Sequence, residues 1–339
     1  MKHIAIFADG TWNSPETERP TNVLMTARAV APENNAGVKQ VAFYDWGVGS
    51  DGKRVVGGLT GEGIDKNIMD CYRFLVHNYE PGDKLYFFGF SRGAYTVRSL
   101  GGFIRNCGLL TRESAGEIPR AYNFYRKRGK NYHPDSEQGK ELRRKYAVAD
   151  ITPIEFIGVW DTVGSLGIPV PFWGTLGEKE FLFHDTQPSR IVQHARHALS
   201  IDEDREDFAE TSWDHKPGLD VKQVWFAGVH SDIGGGYPEA GLCACAADWM
   251  MKEAEKFEFR FSDYLRERIK PNPHDKIHNA RTGMFNLRPE NVRTISGPLH
   301  SSVKQRWEAD TQGYRKKSKA MRKLLQSVGN DWSKIEVVD

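Results

Sequence analysis

The sequence predicts an α/β protein built on a doubly wound, mainly parallel sheet with helices on both faces. Three observations carry that reading. Short apolar runs recur along the chain, and most end in Gly, Asp or His. Most are apolar at successive positions rather than alternating, the pattern of strands covered on both sides. Helix-patterned segments fall between several of them, as parallel connections require.

Strands are expected at residues 4–8, 40–45, 84–90, 155–160, 197–201 and 223–229. The first ends at Asp9-Gly10-Thr11, the third at Ser91, the fourth at Asp161, the fifth at Asp202 and the sixth at His230. Ligands of open α/β sheets bind outside the carboxyl ends of the strands, so these polar residues are expected to share one rim. A helix over residues 62–77 sets Ile64, Ile68, Cys71, Phe74 and Leu75 at helical spacing. A second follows Ser91, over residues 95–105.

One domain spanning 1–339 is expected, with insertions near 112–150 and 166–190 and a helical, then irregular extension over 250–339. The first insertion is basic and tyrosine-rich. The second sets Phe172 and Trp173 among prolines and glycines, and reads equally as an apolar lid or as a loop packed on the sheet. The extension ends in the cationic YRKKSKAMRKLLQ. A solvated helix face is the first reading of that tail, and peripheral contact with an anionic membrane the second.

Bulk numbers narrow the classes. The 339 residues are 39% hydrophobic and 27% charged, an ordinary balance for a soluble chain. A net charge of +2 argues against a nucleic-acid partner. Aromatic residues reach 12%, enough for a large core or an apolar groove. Four cysteines in a chain this long form no disulfide framework, and Cys243-Ala-Cys245 reads as buried small residues in a helix. No Cys/His set has zinc spacing, so no metal and no cofactor is expected. The start, MKHIAIFADGTWN, is too short in apolar residues for a signal-peptide core, and no run approaches a membrane span. A cytoplasmic location is the expectation; a non-Sec export route would leave no such mark.

The chemistry centres on LYFFGFSRGAYTVRSLGGF, residues 85–103. A serine between a strand and a helix, with glycine two residues away on each side, is the pattern of a nucleophile elbow. The helix behind it directs N–H groups at developing negative charge. Such a serine needs a base, and the base needs a carboxylate. His230, in GVHSDIGGGYPE, is the base by this reading. His300 is its rival, and His197 stands at the wrong end of its strand. For the acid, Asp161 in VWDTVGS is preferred, then Asp202, then Asp232. The oxyanion donors are expected to be the backbone N–H of Arg92 and that of Gly10 or Thr11. Asp9 is expected to cap its own turn; the alternative is that Asp9 with Asp161 or Asp232 holds a cation.

In order, FADGTWN, GFSRGA, GVWDTVGS and GVHSDIGGGY resemble the α/β-hydrolase family typified by the catalytic domain of type VI secretion phospholipase effectors. The resemblance spans residues 2–249. It implies an α/β-hydrolase fold and a Ser-Asp-His triad acting on phospholipid esters, with Ser91, His230 and Asp161 at the matching positions. The expected activity is therefore hydrolysis of a lipid ester through an acyl-enzyme, with a lipid or other ester as the partner and protein partners left open. A small-ester or thioester hydrolase is the alternative on the same fold, and a non-catalytic binding domain the alternative of a different class.

Overall fold

A computed structural model describes residues 1–10, 16–46, 61–163, 189–214, 217–287 and 289–339. Thr11 and the aromatic stretch expected as a lid lie outside the described residues. The strands are β1 (His3–Ala8), β2 (Gln40–Asp45), β3 (Lys84–Phe90), β4 (Ile154–Trp160), β5 (Val192–Ser200), β6 (Asp220–Phe226), β7 (Leu299–His300) and β8 (Val337–Val338). They form one sheet in the order β2-β1-β3-β4-β5-β6-β7-β8, every neighbouring pair parallel. The helices that frame the site are α1 (Asn22–Ala29), α2 (Gly61–Asn78), α3 (Arg92–Cys107), α4 (Ile118–Arg126), α5 (Glu137–Tyr146), α6 (His230–Gly234) and α7 (Gly241–Glu255). The arrangement is the doubly wound, parallel sheet with helices on both faces that the apolar runs predict.

Successive strand residues go to opposite layers. Ile4, Ile6, Leu85 and Phe87 pack with α2 and α3, while Ala5, Phe7, Tyr86 and Phe88 pack with α1 and α7. Both layers are buried, which is why the central strands read as unbroken apolar runs. Strand order reverses between β1 and β3, and Asp9 and Ser91 follow those two strands at the switch point. The register brings the carboxyl ends level: Ala8 pairs with Gly89, Phe90 with Trp160, and Trp160 with Ala198.

Two expectations need correction. Strand β5 starts at Val192, five residues before the expected position, because Arg196 interrupts the apolar pattern without leaving the core. Its guanidinium is 1% exposed and is matched by Glu253 at 2.5 Å and Asp220 at 2.8 Å. The region after residue 250 is not only helical and irregular. It adds β7 and β8 to the sheet, and Leu299, Val303, Tyr314, Met321 and Leu325 form a third core cluster with Leu199, Ile201 and Trp225. The four cysteines are all buried and free.

Glycine sets how closely α3 meets the sheet. A Cβ on Gly93 would fall 1.9 Å from the Ala8 carbonyl oxygen, and one on Gly89 would fall 2.5 Å from the Gly93 carbonyl oxygen. Gly101, further along α3, would meet Ile154 and Ile157 at an ordinary 3.5 Å. Gly93→Ala is therefore expected to destabilise by about 2–3 kcal/mol through overpacking. Gly101→Ala is expected to stabilise by up to about 1 kcal/mol through helix propensity. Urea titration of the two variants tests the opposite signs.

Candidate active site

Ser91 sits between β3 and α3 with φ 56° and ψ −120°, a conformation that L-residues rarely adopt. Strain of this kind costs about 1–3 kcal/mol and persists only where the surroundings enforce it. Here the Ser91 N–H is held by the Trp160 carbonyl at 3.2 Å, and Gly89 and Gly93 allow the tight approach. Arg92 is the first residue of the 16-residue α3, so its backbone N–H belongs to the group that an α-helix leaves without an internal acceptor.

His230 opens α6 directly after the β6 rim. Its ring is 5% exposed as a residue and lies against Phe90, the neighbour of Ser91, with centroids 4.6 Å apart. Phe208 meets the ring edge-on at 5.1 Å. Gly234 lets α6 lie on Phe90, since a Cβ there would come 2.0 Å from the Phe90 ring. The following glycine turn is anchored rather than loose. Gly235 approaches Thr21 and Asn22 too closely for a side chain, and the Asn22 amide donates to the carbonyls of Ile233 and Cys243. The His230 backbone N–H donates to Glu203 at 3.2 Å.

Asp161 is fully buried, at φ 36°, where β4 ends. Its Oδ2 lies 2.6 Å from His230 Nδ1. The Ser200 N–H donates to Oδ1 at 2.9 Å. Arg293 spans both carboxylate oxygens, at 2.6 and 3.1 Å, and also donates to the carbonyls of Ser200 and Phe208. Burial acts to raise the Asp161 carboxyl, but the Arg293 charge and the His230 hydrogen bond outweigh it and hold the group well below the usual carboxylate range. Arg293 was not among the sequence candidates. It lies in an irregular stretch with no periodicity, and no motif singles it out.

The other candidates are placed elsewhere. The Asp202 carboxylate accepts from the Gly228 N–H, the Tyr314 hydroxyl and the Ser318 hydroxyl, tying the C-terminal helices to the sheet rather than meeting the imidazole. Burial raises it to about 6. Asp232 accepts from the Val229 N–H and pairs with His278 at 2.6 Å. Asp9 accepts from Thr21 and Tyr44 and, through Oδ1, from the Gly10 N–H at 2.7 Å. That bond turns the Gly10 N–H toward Asp9, against its expected use as an oxyanion donor. His197 accepts from the Thr162 N–H at 3.1 Å, and burial lowers it to about 3. His300 is stacked on Phe226, and burial lowers it to about 4. Among the described residues no group of three or more His, Cys, Asp or Glu is arranged to hold a metal ion, and no helix is long and apolar enough to cross a membrane.

Comparison with known proteins adds a lineage to this geometry. An uncharacterized protein of Saccharomyces cerevisiae is 30% identical over 237 residues, 64% of this chain and 33% of the yeast protein. An uncharacterized protein from Pseudomonas aeruginosa aligns in structure over 80% of this chain and 49% of its own, with 16% identity and a TM-score of 0.48. The Tle1 effector, solved bound to the VgrG spike of the type 6 secretion system, aligns over 70% of this chain and 52% of its own, with 20% identity and a TM-score of 0.39. The chain thus spans about a third to a half of the length of these proteins. Residues 2–253 match the family described as T6SS, phospholipase effector Tle1-like, catalytic domain, and the chain belongs to that family.

Proposed function

We propose that the chain hydrolyses carboxylic esters of lipids, with phospholipids the preferred class, through a Ser91–His230–Asp161 triad. The observation that carries the reading is a strained serine at the head of α3, next to the residue on which a carboxylate-clamped histidine packs. Family membership supports the lipid ester as substrate.

The chemistry follows from the partners. Asp161 takes the Nδ1–H of His230, which leaves Nε2 as the basic nitrogen for the Ser91 hydroxyl. Proton transfer to Nε2 accompanies attack of Oγ on the ester carbonyl. The imidazolium so formed faces an Asp161 that Arg293 keeps ionised. The Arg92 N–H, at the positive end of α3, stabilises the oxyanion. His230 then protonates the leaving alcohol, and water, activated by the same nitrogen, releases the acyl group.

Three outcomes test this. Ser91→Ala is expected to abolish both fluorophosphonate labelling and phospholipid hydrolysis; retained labelling at that position's loss would remove Ser91 as nucleophile. Asp161→Asn is expected to lower kcat by about 10³–10⁴-fold, whereas Asp202→Asn stays within a few-fold, both measured on the same phospholipid. Equal losses would reject the assignment of the acid.

The third concerns pH. The folded Asp161 carboxyl lies below its unfolded value, so its contribution to stability is present above about pH 4 and is lost as pH falls through the folded value. Arg293→Gln removes that contribution. The urea midpoint of the variant is expected to lie furthest below wild type above about pH 4, and the difference to shrink in stronger acid. A difference independent of pH would assign Arg293 a packing role only.

A further inference from the structure

The turn that follows β5 carries a second buried carboxylate beside His230, and it takes no part in the proton transfers. The Glu203 side chain has no exposure to water. A carboxylate so placed needs donors on both oxygens. Its Oε1 accepts from the Arg205 backbone N–H at 3.0 Å and from Arg205 Nε at 2.8 Å. Its Oε2 accepts from Arg205 Nη2 at 2.8 Å and from the His230 backbone N–H at 3.2 Å. Burial acts to raise the Glu203 carboxyl, but the hydrogen bonds and charge of Arg205 outweigh it and hold the group below its ordinary value.

The two-point pairing also orients the guanidinium. The Arg205 side chain lies over the Phe208 ring, with its central carbon 3.5 Å from the ring centroid. Phe208 in turn meets the His230 ring edge-on. The hydrogen bond to Asp161 fixes one point of the imidazole and Phe90 covers it from one direction; Phe208 supplies a contact from another. The Glu203 backbone is tied to the acid as well. Its N–H donates to Ser200 Oγ at 3.2 Å, and the Ser200 N–H donates to Asp161. An ion pair between residues two apart needs no third partner to steady its own turn. Here both halves of the pair reach His230, the carboxylate through the backbone N–H and the guanidinium through Phe208.

We propose that Glu203 is a positioning residue for His230, fixing it directly at the backbone N–H and, through Arg205 and Phe208, at the ring. The inference rests on the reading of His230 as the base. A misplaced base slows the chemical step and leaves substrate binding intact, so the residue acts on kcat rather than on KM.

Glu203→Gln keeps an oxygen for the His230 N–H and removes the charge that holds Arg205, while Arg205→Met removes the guanidinium. On dihexanoyl phosphatidylglycerol below its micellar concentration, each is expected to lower kcat by about tenfold with KM within about twofold. The double variant is expected to fall no more than about twofold below the lower single, because both cut one chain of contacts; independent effects would multiply to about a hundredfold. A second readout needs no turnover. In the Ser91→Ala background the His230 Nδ1 proton is followed by NMR, its signal assigned by its loss in His230→Gln. Its exchange with water is expected to quicken by about tenfold in Glu203→Gln, as the ring loosens from Asp161. Tyr314→Phe removes a buried hydroxyl bonded to Asp202 instead. It is expected to lower the urea midpoint while kcat and proton exchange stay within about twofold. Unchanged exchange in Glu203→Gln, a multiplicative double variant, or equal losses in Tyr314→Phe would overturn the proposal. Were the unmodified chain to hydrolyse no ester, the reading of the base would fail, while quickened exchange would still assign Glu203 the positioning of His230.

Discussion

A carboxylate with no exposure to water needs compensation for several kcal/mol of lost hydration. Asp161 obtains it through four hydrogen bonds with three partners: the Arg293 guanidinium on both oxygens, the Ser200 N–H on one, and His230 on the other. Each partner arrives from a different part of the chain, so the carboxylate is a knot between β4, β5, α6 and the C-terminal region. Arg293 in turn holds the carbonyls of Ser200 and Phe208, and Phe208 is one wall of the His230 pocket. The same cation therefore keeps the acid ionised and the imidazole enclosed. It lies beyond the residues that match the family, which end at 253. The C-terminal region is thus part of the site's electrostatics as well as of the sheet.

The second constraint is steric. Ser91 holds its backbone conformation only because α3 is pressed onto the end of β1, at a distance that glycine alone permits at position 93. Phe90 links this junction to the histidine, since one of its neighbours is the serine and its ring is covered by His230 and α6. A strained serine and a clamped histidine are consequently not independent features. Both depend on the packing of one phenylalanine at the carboxyl end of β3.

What was legible in the sequence follows the same physics. Strand ends where an apolar run meets one polar residue stood out, which is why Ser91, Asp161 and His230 could be named and ordered. Gly89 and Gly93 were readable because a tight turn admits little else. Residues whose role rests on distant partners were not readable. Arg293 has no local pattern; β7 and β8 are two residues each, too short for any period. The start of β5 was hidden by Arg196, whose charge is matched only once Glu253 and Asp220 are folded against it. Asp202 read as an exposed acidic loop, because the hydroxyls of Tyr314 and Ser318 that enclose it lie over a hundred residues away. Gly10 was a reasonable donor until the side chain of its own neighbour claimed the N–H.

Helix α3 adds a third contribution at the same rim. Its first N–H groups have no acceptor within the helix and its dipole is positive at that end, so the backbone itself favours negative charge beside Ser91. The close approach at Gly93 keeps that end of the helix against the end of β1, which ties the electrostatics of the rim to the same steric constraint that holds the Ser91 backbone.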